Sequence, residues 1–124
     1  MTHDYSTISI QMDERGVVSL CLNRAEKKNA LSALMIEELT HFASNLPKGA
    51  RVVVLSGAGD VFCAGGDLGW MKAQIDADRA TRMHEARKLA MMLNALNELD
   101  VPLIGRVHGG AFGGGIGMCC VCDC

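Results

Sequence analysis

No long run of like charge, no window near 18 uninterrupted apolar residues and no export leader is found in this chain. Each absence excludes a class. The 14 acidic and 12 basic residues leave a formal net charge of -2, without the basic stripe that marks a nucleic-acid binder. The missing apolar run removes a membrane-spanning helix, so neither nucleic acid nor membrane is expected as a partner. Met1-Thr-His-Asp-Tyr-Ser has neither the basic patch nor the apolar core of a signal peptide. The expected location is therefore cytoplasmic, with the six cysteines as reduced thiols.

Two nucleotide motifs are also missing. Gly113-Gly-Gly-Ile-Gly has no acidic residue about 20 positions further on to hold a ribose, and no Gly-Lys-Ser/Thr marks a P-loop. The run Cys119-Cys-x-Cys-x-Cys lacks the two separated Cys-x2-Cys pairs of ordinary zinc sites. As a soft thiolate set it offers a metal-binding module as an alternative; packing as small buried hydrophobes is the reading preferred.

What is present suits one globular domain: 124 residues, 49% of them hydrophobic. Thr7-Ile-Ser-Ile-Gln-Met and Gly16-Val-Val-Ser-Leu-Cys-Leu alternate apolar with polar across the turn-like Asp13-Glu-Arg-Gly, which predicts a β-hairpin. Ser32 stands as N-cap before Ala33 to Ala43, with Leu34, Leu39 and Phe42 near helical spacing; Pro47 and Gly49 close that helix. Arg51-Val-Val-Val-Leu-Ser reads as a strand buried on both faces of a mainly parallel sheet. A second short segment, Val61-Phe-Cys-Ala, follows. From Arg79 to Leu99, Met83, Ala86, Leu89, Ala90, Leu93 and Leu96 predict a long amphipathic helix, ended by Asp100 and Pro102. Val101 to Val107 is the next strand. The chain then begins a new apolar element and stops, which reads as an interruption of something longer.

Two glycine loops carry the chemistry. Phe62-Cys-Ala-Gly-Gly-Asp-Leu sets glycine between a strand and a helix start, where the chain turns sharply and leaves N–H groups unpaired. Ala111-Phe-Gly-Gly-Gly-Ile-Gly-Met repeats this after the later strand. Two such loops can converge on one carbonyl oxygen.

With Cys21-Leu-Asn-Arg-Ala-Glu-Lys-Lys-Asn-Ala-Leu before them and Val101-Pro-Leu-Ile-Gly-Arg-Val-His-Gly-Gly leading into the second, these loops make three ordered motifs. The chain thereby resembles the crotonase, or enoyl-CoA hydratase/isomerase, superfamily over nearly its whole length. That resemblance implies an α/β crotonase spiral of β-β-α repeats, with residues 1–124 as the N-terminal part of a single domain truncated before its C-terminal helical part. It implies an acyl-CoA substrate, no separate cofactor, and a homotrimer or dimer of trimers for the full-length form.

Motif by motif, the resemblance assigns the oxyanion-hole donors to the backbone N–H groups of Gly66 and Gly114. Ala64, Gly66, Asp67, Leu68, Gly69 and Gly114 line the coenzyme A channel, and Lys27 and Lys28 lie near its phosphates. Asp67 is read as a helix cap rather than a catalytic group. Trp70, Met71, Met91 and Met92 are read as pocket wall or core, and His84 and His108 as structural or solvated.

Hydration needs a carboxylate to activate water and a group to protonate the α-carbon. In typical family hydratases the first glutamate follows the triple glycine by two positions, where this chain has Gly117; the second falls after Cys124. Asp67-Leu-Gly-Trp-Met-Lys and the segment from Arg106 to Gly117 look similar to bacterial methylglutaconyl-CoA hydratases, which also points to a branched 2-enoyl substrate. Double-bond isomerisation, which one carboxylate can manage, and an inactive fragment are the alternatives.

Overall fold

The computed structural model describes residues 4–124. Met1 to His3, part of the stretch read as lacking a leader, lie outside the described residues. The hairpin forms as expected: β1 (Ile8–Met12) pairs antiparallel with β2 (Val17–Leu22), Ile10 beside Leu20. β3 (Val52–Gly57) lies parallel to β2, and β4 (Leu103–Gly105) parallel to β3, so one sheet runs β1-β2-β3-β4. Parallel neighbours need long crossovers, and three helices supply them: α1 (Ala33–Ser44) between β2 and β3, α2 (Leu68–Asp76) and α3 (Arg79–Asn97) between β3 and β4. A short helix, α4 (Gly114–Cys120), follows β4.

Alternation along the strands puts Val18, Leu20, Leu22, Val53, Leu55 and Leu103 on one buried face. Against it lie Met35, Ile36, Leu39 and Phe42 of α1 and Met92 and Leu96 of α3. β3 is not buried on both faces as expected: Val53 and Leu55 are enclosed, while Val52 and Val54 are half-exposed. The reason is that α1 and α3 both join the core on the Val53–Leu55 side.

Ser32 caps α1 as expected, its hydroxyl accepting from Met35 N at 3.2 Å. Leu34, read as part of the apolar face, is 45% exposed. One turn on, at that flank, Glu38 is buried as a hydrogen-bonded carboxylate, accepting from Ser6 N, Thr7 N and Thr7 Oγ1. It thereby pins the chain entering β1 to α1. Met83 of α3 is also exposed, because only the C-terminal half of that helix reaches the core.

Candidate functional site

Three loops leave the carboxyl ends of β2, β3 and β4 and lie side by side. The first is fixed to the second by backbone bonds: Ala64 N donates to Lys28 O at 3.0 Å, Leu31 N to Gly65 O at 2.6 Å and Asp67 N to Leu31 O at 2.9 Å. The second meets the third through Cys63 N to Gly110 O at 3.3 Å and Phe112 N to Cys63 O at 3.0 Å. Leu31 with Gly66, and Cys63 with Ala111, form parallel bridges. The segment expected as a second short strand, Val61 to Ala64, is thus an extended loop with one bridge.

Gly66 and Gly114, the two donors assigned by resemblance, sit in the second and third loops. Among the described residues neither N–H has a hydrogen-bond acceptor. Gly66 precedes the N-cap of α2, and Gly114 is the first residue of α4, where the helix has no carbonyl for its amide. Gly65 and Gly113 both stand at positive φ; close approach also requires glycine at Gly65, where a Cβ would stand 2.8 Å from Phe112 O, whereas one on Gly113 would lie at ordinary contact distance, 3.7 Å, from Gly65 Cα. The two loops therefore touch backbone to backbone.

The walls follow. A Cβ on Gly66 would meet Met71 Sδ at 3.0 Å and Trp70 Cε3 at 3.7 Å, so both side chains border that amide. Asp67 caps α2, accepting from Trp70 N at 2.9 Å, and its other oxygen pairs with Arg24 at 3.2 Å. The Trp70 amide, then the Arg24 guanidinium, hold the Asp67 carboxyl below the usual carboxylate range against the opposing effect of burial. Leu68 is 79% exposed at the start of α2, beside exposed Gly69 and half-buried Ala64. Lys27 and Lys28 are exposed on the first loop, with Lys28 in the left-handed region at φ 53°.

Asn29 and Arg24 organise this site; the resemblance sets the loop from Asn23 to Leu31 that holds them beside the nucleotide end of the coenzyme, but gives neither residue a role of its own. Asn29 is fully buried at φ 57°. Its Nδ2 donates to the carbonyls of Ala58 (2.8 Å), Val61 (2.9 Å) and Phe62 (3.1 Å), and its Oδ1 accepts from Arg24 N at 2.8 Å. Arg24 also reaches Ala30 O at 2.8 Å. An asparagine inside a charged loop, tolerant of left-handed backbone, was the available signal.

Cys63 is buried, donates to Asn29 O at 3.2 Å, and has its thiol pushed up by burial. It behaves as packing. Cys122 donates to Met118 O at 3.3 Å, and among the described residues no group of three or more His, Cys, Asp or Glu is placed to hold a metal ion. His108, read from sequence as structural or solvated, has its Nε2 2.5 Å from Gly59 O. Gly117, which the resemblance sets at the position of a family glutamate, lies against Leu93, whose Cδ1 would be 3.3 Å from a Cβ there. A hollow of about 350 Å³ on the outside of α1 is lined by Leu34, Glu37, Glu38 and His41 and by none of the glycine-loop residues.

The family profile described as enoyl-CoA hydratase/isomerase matches residues 12–124. The mitochondrial Delta(3,5)-Delta(2,4)-dienoyl-CoA isomerase of Mus musculus is 30% identical over 98% of this chain and 40% of its own length. The probable enoyl-CoA hydratase echA6 of Mycobacterium bovis is 35% identical over 86% of this chain and 41% of its own length. An enoyl-CoA hydratase from Shewanella pealeana superposes with a TM-score of 0.91 at 31% identity, over 95% of this chain and 45% of that one. The chain spans about two-fifths of the length of the curated relatives it matches.

Proposed function

This chain belongs to the enoyl-CoA hydratase/isomerase family, and we propose that the protein adds water across the 2,3-double bond of an enoyl-CoA thioester. Residues 1–124 then serve as the N-terminal part of a single crotonase-fold domain. The observation that carries the reading is the contact of two glycine loops, each offering an N–H with no acceptor among the described residues.

In this reading the N–H groups of Gly66 and Gly114 hold the thioester oxygen. As water oxygen bonds to C3, the C2–C3 π pair moves towards C2 and the thioester takes up enolate charge. Fixed donors aimed at that charge stabilise the transition state by about 2.7–4 kcal/mol each. The water gives up one proton to a base and keeps the other as the C3 hydroxyl, and the enolate takes a proton at C2. Gly117 can do neither transfer, so the carboxylates come from outside these residues. Ala64, Asp67, Leu68 and Gly69 border the coenzyme channel, and Lys27 and Lys28 meet its phosphates. A branched substrate such as methylglutaconyl-CoA, a trimeric assembly and a cytoplasmic location complete the proposal.

Isomerisation of an enoyl-CoA double bond is the second reading. Similarity to a dienoyl-CoA isomerase over 98% of the chain favours it, as does glycine at position 117, since a proton shuttle needs one carboxylate.

Gly114→Pro tests the donor assignment. Proline at the first position of a helix is tolerated and removes only the N–H, and the nearest obstacle to a new Cβ is the flexible tip of Leu31 at 2.7 Å. In the full-length protein the expected result is a loss of turnover of about 10²–10³-fold with an unchanged melting curve. Unaltered turnover removes the assignment, and assaying 2-enoyl against 3-enoyl thioesters separates hydratase from isomerase.

A further inference from the structure

The carboxyl ends of β3 and β4 carry a second polar feature that the glycine loops do not use. Leu55 stands beside Gly105 in the parallel register, so the next residues, Ser56 and Arg106, fall side by side on the face opposite the buried Leu55. The chain from Arg106 to His108 is neither helix nor turn, and alternation returns His108 to the side of Arg106. These three residues and Gly57 line one hollow of about 300 Å³.

The hollow has a fixed frame. Arg106 N donates to Leu55 O at 2.7 Å, and Phe62 N donates to His108 O at 3.0 Å. His108 Nε2 faces Gly59 O, which only accepts, so that nitrogen carries the proton. Among the described residues, neither Ser56 Oγ nor the Arg106 guanidinium has a hydrogen-bond or ion-pair partner. Among the described residues no carboxylate lines the hollow.

An unmatched guanidinium beside a free hydroxyl suits a tetrahedral oxyanion. The guanidinium offers two parallel N–H donors to two oxygens, the serine hydroxyl a third, and the imidazole a wall. In open α/β sheets, ligands sit beyond the carboxyl ends of the parallel strands, where this hollow lies.

We propose that Ser56, Arg106 and His108 form a phosphate-binding site separate from the glycine loops. The phosphate group comes either as inorganic phosphate or as a phosphate of a coenzyme A thioester, and only the second source rests on the proposed function.

Titration of the protein with inorganic phosphate at constant ionic strength, followed by the Arg106 side-chain and Ser56 amide resonances, tests this. A saturable shift with half-saturation on the order of 1 mM is expected. Arg106→Gln should weaken it by about ten-fold or more, Ser56→Ala by a few-fold, and Arg82→Gln on the exposed part of α3 not at all. No saturable shift, or equal affinity in Arg106→Gln with a folded spectrum, overturns the proposal. Should Arg106→Gln lose its folded spectrum, equal affinity in Ser56→Ala overturns it instead. Displacement of phosphate by coenzyme A but not by pantetheine assigns the site to the coenzyme; displacement by neither assigns it to inorganic phosphate. An acyl-CoA that binds without moving the Arg106 resonance leaves the proposed function standing and the site with inorganic phosphate.

Discussion

Asn29 shows how much one side chain can hold. Its amide supplies hydrogen bonds to three carbonyls of the loop that becomes the Gly66 segment, while its oxygen receives Arg24 N. Asn29 is fully buried; of its three bonds to carbonyls the one to Phe62 is buried and the other two part-buried, and an unpaired buried carbonyl costs about 1–3 kcal/mol. In Asn29→Ala, alanine also tolerates φ 57° less well than asparagine does. The expected loss is about 3 kcal/mol or more, read as a lower denaturant midpoint with unchanged slope. Asn29→Asp should lose nearly as much, since it keeps the acceptor and removes the donors. A midpoint within error of wild type would show that the three bonds do not stabilise the fold. The glycines of this site were legible in the sequence because glycine has few other reasons to cluster between a strand and a helix. Asn29 was not, because its role depends on which way a loop residue turns, and turning inward leaves no periodicity.

At the scale of elements, the hairpin, α1, α3 and the parallel β3–β4 pair follow from period and capping, and the α/β spiral expected from the three motifs is the fold observed. The errors lie where a pattern names an apolar face but not its cover. Leu34 and Met83 fit helical spacing yet face solvent, since what each helix packs against is decided elsewhere in the chain. α4 gives a sharper case. Its sequence Gly-Gly-Ile-Gly-Met-Cys-Cys is poor in helix formers, and Gly to Ala inside a helix ordinarily stabilises by about 0.5–1 kcal/mol. At Gly115 the sign should reverse, because a Cβ there would stand 2.5 Å from Cys63 O and 3.0 Å from Cys63 Cβ. Backbone cannot yield as a side-chain tip does. Gly115→Ala is expected to melt at lower temperature than wild type; a higher melting temperature would show that α4 can lift off Cys63 freely. The same contact explains why this helix tolerates such weak propensity: glycine lets it seat its first turn directly on the second loop.

Across the whole molecule, the charge environment sets the pH range of stability. Asp13, Asp67 and Asp78 are all held below the usual carboxylate range, by Arg15, the Trp70 amide and Thr81 respectively as the leading partners. A carboxyl depressed in the folded state contributes stability above its unfolded value of about 3.9, and loses it as pH falls towards the folded value. Asp13 and Asp78 are exposed, so solvent screening keeps their share small; of the three, part-buried Asp67 is the least screened. The alkaline limb has the opposite sign. Burial raises the Cys63 and Cys122 thiols, so their stability contribution is full below the unfolded value of about 8.5 and declines as pH rises above it. Stability should therefore be flat between about pH 5 and 8 and fall on both sides. Urea midpoints at acid, neutral and alkaline pH check the shape, and two variants check its cause. Asp67→Asn keeps a capping oxygen for Trp70 but cannot titrate, so its deficit relative to wild type should shrink as pH drops below 4. Cys63→Ala should flatten the alkaline limb although it lowers the neutral midpoint. A deficit of Asp67→Asn that stays constant from pH 6 to pH 3 would place the acid sensitivity outside Asp67, whose charge is held by the Trp70 amide and by Arg24.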